Sequence, residues 1–482
     1  MNCLLQSEAS TRPTSTGSRF VYRKSTFWIG PLALAAVLHA GTSPALAGQV
    51  SKRSSTKKSS TSAQTTQPKT AYSAARSKTR KSKLTAARMT ARYPPHHGIR
   101  DNAGFVLNDA TPTLASILKG AGYHTAAFVS SYVLRAGSGL ARGFDVYDER
   151  FDGLGTDHLT LTSLERRGPE VARAAVAWLA HAPRPYFLWV HFYDPHAPYD
   201  PPPAFGDRFP GRPYDGEIAT SDFGVATLLE ALPTDRSGTI VVATGDHGEG
   251  LGDHGESQHG ILLYDSTLHV PLIMTGPGIP PDVRVTRQVR HVDVLPTILA
   301  MAGIPVPAGV DGASLRPLLD RTPARPTDDA PLAYAETQFG LLHFGWAPLA
   351  SGRDGRWKYI DAPAPELYDL GADRSETANR FAPGGTAAGI ARKVREIGST
   401  SQPLRARAGD TDVRERLRSL GYASGRVDLG SPSGSGDPKI EIVRYEAYVQ
   451  AFNDGLMARR TPALHRFAPL GLYQSLLGHP HQ

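Results

Sequence analysis

The sequence has almost no cysteine: the single one, Cys3, lies at the extreme N-terminus. A lone cysteine cannot form an intramolecular disulfide, and it cannot build a cysteine-based metal site. No cysteine is present in the remaining 479 residues to act as a nucleophile. Any reaction that this chain performs in its main body must therefore use other side chains.

Acidic residues are nearly absent from the first 92 positions, where Glu8 is the only one. The same segment holds 16 of the 53 lysines and arginines, so residues 1–92 carry +15 and residues 93–482 carry −7. Residues 49–92 also have few bulky apolar side chains, which predicts disorder because such a segment buries too little surface to offset its ordering entropy. Binding to nucleic acid or to an anionic surface would be confined to this basic segment, and we interpret it as a solvated linker. Nucleic acid is not the expected partner.

An apolar run long enough to span a membrane is also lacking. The longest, Phe27–Ala40, is shorter than the roughly 20 residues that a spanning helix needs. Arg23 and Lys24 precede it, and the small residues around Ala47 offer a cleavage point. This pattern is typical of a secretory signal over residues 1–48. It predicts a periplasmic or secreted protein with no stable membrane span. An uncleaved anchor or a chance apolar patch in a cytoplasmic protein are the alternatives.

Two common catalytic signatures are missing, a Walker phosphate-binding loop and a G-x-S-x-G elbow. The sequence also has no repeat of fixed period. What is present from Tyr93 onwards is an alternation of strand and helix patterns. Tyr186–Phe192 and Thr239–Thr244 are continuous apolar runs, typical of strands buried on both faces. We therefore predict an α/β fold with a mostly parallel sheet and helices on both faces. Gly352–Leu370 predicts a small antiparallel hairpin.

A dense polar cluster follows the strand predicted over Thr239–Thr244. Asp246 and His247 come directly after it, between glycines that permit a tight turn, and His259 follows a few residues later. Sites in such sheets lie outside the carboxyl ends of the strands. A carboxylate beside an imidazole is a common ligand pair for a divalent ion. A polar loop with incidental histidines is the alternative, and the density of the cluster favours a site.

A second cluster follows the strand predicted over Tyr186–Phe192. It contains His191, Asp194 and His196, in a loop stiffened by prolines. His196 is the strongest candidate for function. The alternative for the other two is that His191 is bonded within the core and that Asp194 forms a turn. A divalent ion with nearby imidazoles can position a phosphoryl or sulfuryl group and protonate a leaving alkoxide.

The chain resembles the sulfatase family of the alkaline phosphatase-like superfamily. The resemblance is strongest in TGDHGE, followed by HG and then VPLI, within residues 241–278. Further similar stretches are YPPHHGIRDNAGF (93–105), WVHFYDPHAPYDPP (189–202), HVDVLPTILAMAGI (291–304) and WKYIDAPAPELYDL (357–370). The resemblance implies an alkaline phosphatase-like fold and a hydrolase of sulfate or phosphate esters. It divides the chain into a signal segment (1–48), a basic disordered segment (49–92), an N-terminally incomplete sulfatase-like domain (93–382), a linker (383–440) and a helical extension (441–482).

Site roles follow from the resemblance, position by position. Asp246 and His247 match metal ligands, His259 falls where the family contacts the ester and its leaving oxygen, and His196 matches a histidine that binds the transferred group. The implied cofactor is a divalent ion, either Ca, Mn or Zn. The imidazole of His247 leans towards Mn or Zn and towards phosphodiesterase or phosphonate-type relatives. The implied partner is a small-molecule or glycan sulfate or phosphate ester.

One part of the family pattern is missing. Sulfatases begin with a buried strand that ends in metal-binding Asp, followed by a cysteine-, serine- or threonine-derived nucleophile, and residues 49–92 contain neither motif. Thr85 and Thr90 are the nearest hydroxyls, but they lack the family's flanking residues, so the nucleophile is unassigned. Two explanations stay open: a divergent, catalytically impaired member that retains only anion binding, or a segment before about residue 88 that does not represent the ancestral reading frame or start. The sequence predicts little activity for the chain as written.

Overall fold

The computed structural model describes residues 34–39, 81–102, 105–151, 165–197, 199–233, 238–319, 330–400 and 434–458. These residues form two sheets with helices packed against them. The larger sheet has six strands in the order β3-β2-β4-β1-β5-β6. The strands are β1 (Leu34–His39), β2 (His124–Val129), β3 (Val146–Asp148), β4 (Tyr186–His191), β5 (Thr239–Thr244) and β6 (Leu272–Thr275).

Four strands of this sheet, β2 to β5, run in the same direction, and β1 and β6 run against them. The mostly parallel sheet predicted from the alternating patterns is therefore confirmed. Strand β4 is buried along its whole length, as its continuous apolar run predicts. Because the carboxyl ends of β4 and β5 meet at one edge of the sheet, the loops that follow them lie together there.

Each face of the sheet is covered by helices, since alternate residues of a strand point to opposite faces. Phe187 and Trp189 of β4 pack with one set of helices, and Leu188 and Val190 pack with another. The helices are α1 (Lys81–Thr90), α2 (Pro94–His97), α3 (Leu114–Gly120), α4 (Gly168–Leu179), α5 (Pro203–Gly206), α6 (Pro213–Glu230), α7 (Asp265–Leu268), α8 (Val294–Met301), α9 (Phe339–Phe344), α10 (Gly385–Ser399) and α11 (Pro438–Ala458). Residues of α1, α3 and α8 share the core of Phe187 and Trp189, and residues of α4 and α6 share the other core. Within the described parts of the chain, no helix is long and apolar enough to cross a bilayer.

The second sheet is antiparallel, with four strands in the order β10-β9-β8-β7. They are β7 (Ala333–Thr337), β8 (Leu349–Arg353), β9 (Trp357–Asp361) and β10 (Glu366–Asp369). The hairpin predicted over Gly352–Leu370 is confirmed as part of this sheet. Helix α10 packs on it through Ile390 and Val394. The linker predicted over 383–440 therefore contains a packed helix, because the apolar side chains of α10 recur at helical spacing and bury against the sheet.

Two N-terminal segments differ from the sequence-based expectation. Residues Lys81–Thr90, expected to be disordered, form α1, and Ala86 and Met89 are buried in the core of the larger sheet. Leu34–His39, part of the expected signal segment, forms the strand β1 between β4 and β5. The disorder predicted for 49–80 and the rest of the signal segment lie outside the described residues. Export therefore stays a prediction.

Candidate active site

The carboxyl end of β5 carries Asp246 and His247, both almost completely buried. The backbone N–H of His247 donates to Asp246 Oδ1 at 3.1 Å, and its ring Nδ1–H donates to the Gly248 carbonyl at 2.8 Å. This bond places the lone pair of a neutral ring on Nε2, which lies 3.7 Å from Asp246 Oδ2. The tight loop depends on Gly248, since a Cβ there would meet the Ser266 carbonyl oxygen at 2.1 Å. The two predicted ligands thus lie side by side.

His259 reaches the same place from the loop that leads away from β5. Its ring stacks on that of His247, with centroids 3.8 Å apart and an angle of 26° between the planes. Its Nδ1 lies 2.9 Å from Glu249 Oε1, and both side chains are buried. A carboxylate on Nδ1 orients the ring and increases the basicity of Nε2. Glu249 therefore positions His259, a role that the sequence analysis did not predict.

His196 comes from the loop after β4. Its Nδ1–H donates to the Ala197 carbonyl at 2.7 Å, and its ring meets that of His259 edge-on, with centroids 5.3 Å apart. Its backbone N–H donates to Glu217 Oε2 of α6 at 2.8 Å. Burial, reinforced by Asp194, raises the pKa of Glu217 to about 7. The structure therefore brings His196, His247 and His259 together at one edge of the sheet.

The other polar residues of the two clusters lie outside this group. His191 is buried beneath the sheet edge and bonds to Ser130 Oγ at 2.9 Å. Asp194 accepts from the Gly168 backbone N–H at 2.7 Å and pairs with Arg167, so it holds the start of α4. His254 turns away and bonds to the Glu376 carbonyl at 3.0 Å. These three residues have structural partners.

A cation from α1 faces the end of β5. The guanidinium of Arg88 donates from Nη1 to the Gly245 carbonyl at 2.8 Å and from Nη2 to Thr85 Oγ1 at 3.2 Å. His291 Nε2–H donates to the same Gly245 carbonyl at 3.0 Å, and burial, followed by the charge of Arg88, lowers its pKa to about 3. His291 is therefore neutral at pH 7. The sequence analysis missed both residues because Arg88 lies in a segment read as a basic tail and His291 lies far along the chain.

The two nearest hydroxyls are both buried in α1. Thr85 Oγ1 accepts the bond from Arg88, and Thr90 Oγ1 donates to the Ala86 carbonyl at 2.7 Å. Thr90 is thus engaged with its own helix. Thr85 is the hydroxyl nearer to the end of β5, through its contact with Arg88, but its geometry does not assign it as a nucleophile.

A cavity of about 1740 Å³ borders the site at Asp246 and His291 and extends along β6 to the second sheet. The three converging imidazoles do not line it, so it adjoins the site without containing it. Its wall includes eight lysines and arginines and five acidic residues. The cations are Lys83, Arg284, Arg287, Arg290, Arg353, Arg356, Lys358 and Arg374. Four of these cations are paired with carboxylates: Arg290 with Asp293, Arg353 and Lys358 with Asp265, and Arg356 with Asp369.

Comparison with known protein families gives two matches. The model described as sulfatase matches residues 49–304, and the model described as N-sulphoglucosamine sulphohydrolase, C-terminal, matches residues 252–396. The sulfatase match covers more than half of the chain. The match begins at residue 49, whereas the sequence analysis expected the sulfatase-like domain to begin at Tyr93.

Curated relatives align over a shorter segment. Arylsulfatase K of Rattus norvegicus is 37% identical over 150 residues, which cover 29% of this chain and 26% of that protein. Arylsulfatase K of Homo sapiens is 34% identical over 157 residues, which cover 29% of this chain and 27% of that protein. The chain thus spans about a quarter of the length of the curated relatives that it matches.

Solved structures with the same fold cover more of the chain. A protein in complex with its substrate D-glucosamine-2-N,6-O-disulfate superposes with a TM-score of 0.55 and 19% identity, over 66% of this chain and 88% of that chain. Ps i-CgsB in complex with k-i-k-neocarrahexaose gives a TM-score of 0.57 and 19% identity, over 70% and 86%. The phosphonate monoester hydrolase of Agrobacterium radiobacter gives 0.55 and 21%, over 66% and 85%. At these identities the likeness shows the fold.

Proposed function

The chain belongs to the sulfatase family, and we propose that its site binds the sulfate or phosphate group of an ester and hydrolyses that ester. The observation that carries the proposal is the convergence of three buried imidazoles, with His259 held by Glu249, at the ends of β4 and β5. Three ring nitrogens at one place can hold the oxygens of a tetrahedral anion. A carboxylate-supported imidazole is suited to general acid–base catalysis.

The roles of the residues follow from their orientation. His196 and His247 each donate Nδ1–H to a backbone carbonyl, which directs Nε2 to the interior of the site. When protonated, these nitrogens donate hydrogen bonds to the oxyanion. His259 gives the proton on Nε2 to the ester oxygen as the bond to sulfur or phosphorus breaks, and Glu249 stabilises the imidazolium beforehand. The nucleophile is not assigned among the described residues.

Members of the sulfatase family generally use a divalent metal ion, usually calcium. The sequence predicts Asp246 and His247 as its ligands here. In the described part of the chain, no group of three or more histidine, cysteine or acidic side chains is arranged to hold a metal ion. Arg88 also places a positive charge beside Asp246. Because divalent ions take four to eight ligands, these residues do not fit such an ion, and the roles above require none.

For the substrate class we propose a sulfated or phosphorylated glycan. The similarity in fold to a protein that was solved with its substrate D-glucosamine-2-N,6-O-disulfate supports this choice. A phosphate or phosphonate ester is the second candidate, supported by the similarity in fold to the phosphonate monoester hydrolase of Agrobacterium radiobacter. We also propose export as the location, on the grounds of the basic and apolar pattern before Gly48.

Turnover assays on the full chain test the proposal. Release of p-nitrophenol from p-nitrophenyl sulfate, p-nitrophenyl phosphate and phenylphosphonate esters is measured beside release of sulfate from a sulfated glucosamine. We expect hydrolysis of at least one ester, which also ranks the two candidates. Binding of inorganic sulfate with no turnover of any ester would instead identify a non-catalytic anion-binding protein. The proposal fails if the chain neither binds the anion nor turns over an ester.

A further inference from the structure

Arg88 has an unusual position for an arginine. Its side chain is 1% exposed, and its guanidinium bonds to the carbonyl of Gly245, the residue directly before Asp246. It comes from α1, not from the loops that supply the imidazoles. The family resemblance assigns no role to this position. A fully buried cation is costly unless it is paired and hydrogen-bonded, so its surroundings indicate what it binds.

The hydrogen-bonding of this guanidinium is incomplete. Nη1 and Nη2 have partners, but Nε, also buried, has no acceptor among the residues that the structure describes. Burial lowers the pKa of Arg88 to about 10, and the charge of Asp246 opposes this shift. The side chain is therefore charged at neutral pH. A charged, buried donor with an unmet bond is suited to an oxyanion.

The charges around Arg88 also favour an anion. Lys83, five residues earlier in α1, is 2% exposed and lines the same cavity as Asp246. The guanidinium of Arg88 lies close enough to the Asp246 carboxylate for the two charges to interact. A divalent cation placed beside Arg88 would meet a like charge. An oxyanion placed there would instead meet the buried Nε–H donor.

We propose that Arg88 supplies the positive charge that a divalent ion would otherwise provide, so that this site binds its sulfate or phosphate group without metal. The inference rests on the proposed function and deepens it. Arg88 neutralises Asp246, and its Nε–H is available to one oxygen of the bound group. Thr85 and the Gly245 carbonyl hold the guanidinium in place. Arginine suits this role because its planar group donates several directed hydrogen bonds and is weakly hydrated.

The test measures binding of inorganic sulfate and phosphate by calorimetry to the full chain after EDTA treatment, with residual metal determined by mass spectrometry. Metal-free wild type is expected to bind, and adding Ca²⁺, Mn²⁺ or Zn²⁺ is expected to leave the affinity unchanged. Arg88→Met removes the charge at similar volume and is expected to weaken binding roughly 10- to 100-fold, the range for a hydrogen bond to a charged group. Arg88→Lys keeps the charge and is expected to retain part of the affinity.

Arg166→Met is the matched control. Arg166 is also buried, but it bonds to Asp148 and to the Val129 carbonyl instead of to the end of β5. The Arg166→Met variant is expected to bind sulfate and phosphate with the affinity of wild type. Thermal unfolding checks that each variant is folded. Binding that appears only after a divalent ion is added would overturn the inference and leave the proposed function standing. Equal binding by Arg88→Met and wild type would also overturn it. Absence of binding with and without metal would refute the proposed function itself.

Discussion

The two sides of the candidate site differ in what they offer to a ligand. The histidine side consists of Asp246, His247, His259 and His196, on the loops after β4 and β5. The helix side consists of Thr85 and Arg88, in α1. Every imidazole of the histidine side has Nδ1 bonded to a carbonyl or carboxylate oxygen, whereas the helix side brings a guanidinium to the Gly245 carbonyl. In the proposed function, the histidine side supplies the groups for acid–base chemistry and the helix side supplies a positive charge.

The direction of β1 explains much of this difference. Strands β4 and β5 run in the same direction, so their carboxyl ends deliver polar loops to the same edge. Strand β1 lies between them but runs the opposite way, and its last residue, His39, pairs with Tyr186 and Thr239 at the starts of β4 and β5. The carboxyl end of β1 therefore lies at the edge of the sheet opposite to Asp246. Although β1 is a central strand of the sheet, its carboxyl end is therefore far from the candidate site.

The largest effect is expected from removing the proton donor of the histidine side. His259→Gln keeps a polar side chain but cannot donate a proton to the leaving group, so the rate of ester hydrolysis should fall roughly 10²- to 10⁴-fold. The measurement is kcat for the ester that wild type turns over. His254→Gln, in the same loop but bonded to Glu376, is the control and should keep the wild-type rate. Similar rates for both variants would show that the histidine side has no acid–base role.

A smaller effect, on the pH dependence of stability, is expected at Glu217, which accepts a hydrogen bond from the backbone N–H of His196 on the histidine side. The pKa of Glu217 is about 7 in the folded protein against an ordinary value of 4.5. Between these values the folded state holds a proton that the unfolded state has released. The free energy of unfolding therefore falls as the pH rises from 4.5 towards 7, by up to about 3 kcal/mol.

Glu217→Gln removes this titration. Urea unfolding of both proteins between pH 4 and pH 8 should show wild type losing stability relative to the variant as the pH rises. Other titrating groups are common to both proteins, so the difference isolates Glu217. A difference that is constant with pH would mean that folding leaves the pKa of Glu217 unchanged, so that a carboxylate holds the backbone N–H of His196 at neutral pH.

The smallest effect is expected at the end of the helix side. Ala91, directly after α1, has a φ of 53°, in the left-handed region that disfavours residues with a Cβ. Ala91→Gly should raise the free energy of unfolding by about 1 kcal/mol, because glycine adopts this conformation without strain. Ala87→Gly, the same change inside α1, should lower it by about 1 kcal/mol. Chemical denaturation of both variants measures the two values, and a shift of the same sign in both would contradict the conformation of α1.

Much of the fold could be predicted because it depends on local pattern. The apolar runs within β4 and β5 are typical of buried strands, and the alternation with helices leads to a mostly parallel sheet. The hairpin over Gly352–Leu370 was predictable for the same reason. Helix α10 was missed although its apolar residues recur at helical spacing, because it lies in a stretch, 383–440, that is rich in Gly, Ser and Arg and was interpreted as a linker. Helix α1 was missed because its composition is that of a soluble tail, and only the core that receives Met89 makes it a helix.

The sequence by itself singled out Asp246, His247, His259 and His196, from their residue types and their positions after predicted strands. This was possible because loops that follow parallel strands lie at the same edge of the sheet. Only the tertiary structure decided that Glu249 orients His259, that His254 faces elsewhere, and that Arg88 bonds to the carbonyl before Asp246. Arg88 and Gly245 are 157 positions apart in the chain. A hydrogen bond and a charge interaction over that separation exist only once the sheet and α1 have packed together.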